Sequence, residues 1–129
     1  MNEIEEIGKV QIKKGVLDEL LQACRNTHPN EFFAFLGSAD KKVVDEYIVV
    51  PLFYQAPDSI SYRTDLLPFD LSVIGSIHSH PSHNPYPSRP DNNSFFQRGQ
   101  YHIIITYPYN YGSIYAYSKE SNPLRIEIV

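Results

Sequence analysis

Along the chain, apolar residues recur at Leu17, Leu20, Leu21 and Cys24, the i, i+3, i+4, i+7 spacing of one helix face. An amphipathic helix is therefore expected from Gly15 onward, with Cys24 a small core residue, and His28-Pro29 ends it because the residue before a proline is disfavoured from the α region. Most of the remaining pattern is of the strand type. Residues 10–13 form a short candidate, and 31–37 an aromatic-rich one that begins with the carboxylate of Glu31. After a turn at Asp40-Lys41-Lys42, residues 43–50 read as a strand with polar positions at Asp45 and Glu46, pairing with 31–37 as a hairpin. Residues 71–77 are apolar and β-branched, 101–107 carry Ile103-Ile104-Ile105 at their centre, and 113–117 and 124–129 complete the set. Between residues 51 and 68 only 59–62 alternates, weakly, so one strand within an irregular flap is expected there. Residues 88–98 fit a short helix closed by Gly99, with Pro90 in its first turn and Phe95 and Phe96 inward. Many strands and few helices predict an α/β chain built on a mixed β-sheet flanked by helices.

Length and charge narrow the function classes. At 129 residues the chain has room for a single domain spanning 1–129. A formal net charge of −4 with scattered Lys and Arg offers no basic stripe for a nucleic acid. No run approaches the ~20 apolar residues of a membrane span, and the first residues lack the regions of a signal peptide, so a cytoplasmic protein is expected. Cys24, the single cysteine, allows neither an intrachain disulfide nor a Cys-based zinc cluster.

The chemistry concentrates in Ile77-His78-Ser79-His80-Pro81. In a strand, residues two apart share a face, so His78 and His80 project together while Ser79 points away, and paired imidazoles suit a divalent metal. A Pro-rich loop follows, and Asp91, at the start of the short helix, is placed to return as an anionic third ligand. Two His and one carboxylate leave a tetrahedral zinc one open position, the pattern of a catalytic site. His83 is the rival within the loop, since His78, His80 and His83 would make a three-His site. Ser88 and Asp91 also fit S-x-x-D, a capping-box-like helix start, while a hydroxyl used that way still has a proton to direct elsewhere. Glu31, beside Phe32, Phe33 and Phe35, is either a solvent-facing strand end or a base among apolar neighbours.

The run H-S-H-P, six residues, then S-x-x-D, with a Glu in P-x-E far upstream, closely resembles the JAMM (MPN+) metalloprotease family, in its compact archaeal and bacterial form. Pro29-Asn30-Glu31 with Phe35-Leu36-Gly37 matches its Glu segment, and His78, His80, Ser88 and Asp91 match its metal and hydroxyl positions. Ala34 stands where that family often has Gly, and the interval from Tyr62 to Gly75 is short for the helix many members place there. The resemblance implies a cytidine-deaminase-like fold and one Zn2+ per chain held by His78, His80 and Asp91. It further implies a zinc-activated water deprotonated by Glu31, an oxyanion met by Ser88, and isopeptidase or peptidase action. The substrates implied are ubiquitin-like modifier conjugates or sulfur-carrier proteins with Gly-Gly tails.

Other classes fit less well. A metal-free MPN scaffold or binding module is the alternative, but every ligand residue is present. A zinc nucleobase deaminase needs H-x-E and P-C-x-x-C, which one cysteine cannot supply. A barrel hydrolase using H-x-H needs ~250 residues.

Overall fold

The structure is a computed structural model that describes residues 8–49, 52–56, 59–62, 72–88 and 99–129. Ten strands and one α-helix are seen among these residues, in the order β1 (Lys9–Ile12), α1 (Lys14–Thr27), β2 (Phe33–Gly37), β3 (Val43–Val44), β4 (Glu46–Ile48), β5 (Leu52–Ala56), β6 (Ser59–Tyr62), β7 (Val73–His80), β8 (Tyr101–Thr106), β9 (Ile114–Ser118) and β10 (Pro123–Ile128). Of the expected helix at residues 88–98 only Ser88 is described; the rest, with Phe95 and Phe96, and the later part of the flap lie outside the described residues.

Eight strands make one mixed sheet in the order β3-β1-β10-β9-β8-β7-β2-β4, and β5 and β6 form a separate antiparallel hairpin. The strand at Ser59–Tyr62 is thus as expected, whereas its partner Leu52–Ala56 replaces a segment that reads as irregular. The single strand expected over 43–50 is two short ones. β3 runs parallel to β1 and β4 antiparallel to β2, and the Asp45 N–H donates to the Gly37 carbonyl at 3.1 Å where the chain changes partner. Because Asp45 alone separates the two ends of the strand order, the sheet curls back on itself.

One sheet face packs on α1. Leu17, Leu20, Leu21 and Cys24 on the helix meet Val10, Ile12, Ala34, Leu36, Ile77, Ile103 and Ile105 on the strands, all buried. Ala34 is fully buried opposite Ile77, so a small side chain suits that position. Side chains alternate, so Phe33, Phe35, Ser76, His78, His102 and Ile104 occupy the other face, and they too are buried. Glycine is required where β7 and β8 begin: a Cβ on Gly75 would lie 1.7 Å from the Tyr101 carbonyl oxygen, and Gly99 has φ +82.

Candidate metal centre

β7 delivers the two histidines. It is bracketed by β2, antiparallel, and β8, parallel, so its backbone is paired on both edges and Ile74 through His80 are all buried. His78 stands opposite Phe33 and Ile104, and His80 opposite Thr106. As expected from a two-residue spacing, Ser79 faces the other way: its Oγ accepts the Phe32 N–H at 2.8 Å, on the side of Cys24.

The two Nε2 atoms lie 3.2 Å apart, with ring centroids 5.0 Å apart and planes inclined by 59°. His80 Nδ1 is 2.8 Å from the Asn84 carbonyl oxygen. A carbonyl only accepts, so Nδ1 carries the proton of the neutral ring and Nε2 presents a lone pair. Two imidazole nitrogens bound to one tetrahedral zinc at 2.0–2.1 Å would be about 3.3 Å apart. The observed separation and tautomer therefore fit a shared metal ion.

Glu31 precedes β2 and is buried, at 5% exposure. The β2–β7 register, continued by the Ser79 N–H to Phe32 carbonyl bond at 3.0 Å, carries Glu31 to the level of His80. It lies near Tyr109, whose phenol is pushed up to about 12, mainly by burial and further by Cys24, Tyr107 and Glu31. Tyr109 Oη is 2.6 Å from His28 Nδ1, which ties the end of α1 to the chain beyond β8. Ser88, in the chain after β7, is exposed, and Asp91 lies outside the described residues.

The remaining histidines have other places. His83 is exposed, with its ring edge-on to Tyr107 at 5.6 Å, and among the described residues no three His, Cys, Asp or Glu side chains converge as a metal site. The three-His alternative is therefore not assembled. His102 is buried against Ser76 Oγ (2.7 Å) and the Gly99 carbonyl (3.2 Å), and burial pushes it down to about 4. Burial likewise pushes the Cys24 thiol up to about 12, which keeps it unreactive. Residues that motif reasoning missed are Asn84 and Tyr109. An Asn-Pro pair is a turn initiator and was a readable signal for the first, whereas Tyr109 had none.

Comparison with known proteins bears on the family of the chain. The family model for prokaryotic homologs of the JAB domain matches residues 13–118. A protein of Haloferax volcanii described as a probable metalloprotease is 37% identical over 109 residues, covering 78% of this chain and 67% of that one. A solved structure described as a metalloprotease-like zinc site in the proteasome and signalosome is 36% identical, with TM-score 0.72 over 93% of this chain and 97% of its own. A JAB1/MPN domain protein from Archaeoglobus fulgidus is 35% identical, with TM-score 0.73 over 93% and 99%. No helix among the described residues is long and apolar enough to cross a membrane. With the match covering most of the chain and the paired histidines closing its central strand, the chain belongs to the JAMM/MPN metalloprotease family, as one of the prokaryotic homologs of the JAB domain.

Proposed function

We propose that the chain is a zinc-dependent isopeptidase or peptidase that cleaves the amide bond after a Gly-Gly tail, as in ubiquitin-like conjugates or sulfur-carrier-type proteins. The observation that carries this reading is the 3.2 Å convergence of the His78 and His80 Nε2 atoms, with Glu31 brought to the same level by the adjoining strand. His78 and His80 hold the ion with Asp91 as the anionic third ligand, one zinc per chain. When bound, zinc supplies Lewis acidity, lowering the pKa of water toward ~7 and polarising a carbonyl. The carboxylate of Glu31, shielded from bulk solvent, accepts a proton from the attacking water and returns it to the leaving amine. Ser88 donates its hydroxyl proton in a hydrogen bond to the oxygen on which charge develops. An extended tail adds beside Ser59–Tyr62 by backbone pairing, and glycines without side chains pass most easily beside the loop at 81–87.

The test is release of a Gly-Gly-tailed protein from a lysine amine by purified chain carrying one zinc. Turnover is expected to vanish with a chelator and return with zinc. A fully zinc-loaded chain that cleaves no such amide would refute the proposal.

A further inference from the structure

The loop that leaves His80 is tied down from two strands. The Tyr107 N–H, just past β8, donates to the carbonyls of His80 and Ser82, each at 3.1 Å. The Tyr117 hydroxyl, on β9, donates to the Pro85 carbonyl at 2.5 Å. β9 is two strands away from β7, but the pairing sets Tyr117 opposite His102 and His102 opposite Ser76, so Tyr117 shares the sheet face of Ser76, His78 and His80. The loop turns back over that face and is anchored there. Burial pushes the Tyr117 phenol up, so it remains a donor at neutral pH.

Pro85 directly follows Asn84, the residue whose carbonyl takes the His80 Nδ1 proton. The two carbonyls are separated by one planar peptide and by the φ of proline, which its ring locks, leaving a single soft dihedral between them. Fixing the Pro85 oxygen therefore goes far toward fixing the Asn84 oxygen.

We propose that Tyr117 is a positioning residue for the metal centre: by anchoring Pro85 it holds the Asn84 carbonyl that sets the tautomer and ring orientation of His80. This rests on the reading of His80 as a ligand. Outer partners of metal-binding histidines commonly change metal affinity by 10–100-fold when removed, and Tyr117 acts one link further out. Tyr117→Phe keeps the buried ring and removes only the donor. The expected result is a zinc dissociation constant, measured by competition with a chromophoric chelator, about tenfold weaker than wild type. The visible bands of the cobalt-substituted protein are expected to shift, with the melting temperature of the metal-free chain little changed. Tyr115→Phe on the same strand is expected to change none of these. Wild-type zinc affinity in Tyr117→Phe, while His80→Ala has lost zinc, overturns the role of Tyr117 alone. Zinc retained by His80→Ala overturns the ligand reading beneath it. Weaker binding that accompanies a large fall in melting temperature, with an unchanged cobalt spectrum, marks Tyr117 as merely structural and overturns the proposal as well.

Discussion

Ser79 separates the two site histidines in sequence but belongs to the opposite side of the sheet, and its replacement by alanine tells the two sides apart. Its Oγ accepts the Phe32 N–H at 2.8 Å while its own N–H donates to the Phe32 carbonyl at 3.0 Å, so the side chain closes the β2–β7 pairing one residue after Glu31. Ser79 is fully buried. Ser79→Ala removes the acceptor of the Phe32 N–H and the hydrogen-bond partner of the Cys24 thiol, which costs about 1–3 kcal/mol. An unfolding entropy of about 2.1 cal/mol/K per residue over 129 residues gives roughly 0.27 kcal/mol/K. The expected fall in melting temperature is then about 4–11 °C. Zinc content, measured on the folded variant by elemental analysis, is expected to match wild type. An unchanged melting temperature refutes the hydrogen-bond argument, and zinc loss without destabilisation refutes the assignment of faces.

Elemental analysis of His78→Ala, His80→Ala and Asp91→Ala is expected to find zinc lost and of His83→Ala to find it kept; the reverse pattern for His83 and Asp91 sinks the proposed ligand set. Glu31→Gln is expected to fold and hold zinc but lose nearly all turnover, and Ser88→Ala to lower kcat by roughly 10²–10³, whereas a lower Tm with unchanged kcat would identify Ser88 as a helix cap instead. Replacing Gly-Gly by Ala-Ala in the substrate tail, or placing proline within Ser59–Tyr62, is expected to reduce kcat/KM strongly at unchanged zinc content, and unchanged kcat/KM in either shows that the tail is held elsewhere. His102 is pushed down from 6.5 to about 4 by burial, so below pH 6.5 the unfolded chain binds a proton that the folded chain refuses until about pH 4. Stability is fully present above pH 6.5 and is lost as pH falls to about 4, by roughly 3 kcal/mol; urea unfolding should show a shallower pH slope in His102→Gln, and an equal slope excludes this origin.

Local periodicity made α1 and the strands that cross the core legible, because each must present one apolar face to a single neighbour: Leu17, Leu20, Leu21 and Cys24 are the helix residues that are buried. Leu52–Ala56 was not legible. Pro51 and Pro57 bracket it, and its regular form rests on pairing with β6, a relation that no pattern within five residues encodes. The break at Asp45 was equally hidden, since it arises where one extended segment exchanges β1 for β2 as neighbour. At the candidate site, a two-residue spacing was enough to bring His78 and His80 together and to turn Ser79 away. What the spacing did not contain is the tautomer of His80, which depends on a backbone carbonyl belonging to Asn84.

The pairing of β1 with β10 sets Lys9 beside Arg125, and so joins segments about 116 residues apart, while β7 and β8 meet at Gly75 and Tyr101, about 26 apart. On a loop-closure scale of (3/2)RT ln n, the outer pairing costs roughly 1.3 kcal/mol more chain entropy than the inner one. β10 is moreover an interior strand, lying between β1 and β9. During synthesis neither of those neighbours gains its shared partner until residues 123–128 have emerged, although the strand bearing both histidines already has β2 and β8 available. Such non-local pairing places folding toward the slow, millisecond-to-second range. It also makes closure of the sheet a late event relative to assembly of the strand that carries His78 and His80 with its two neighbours.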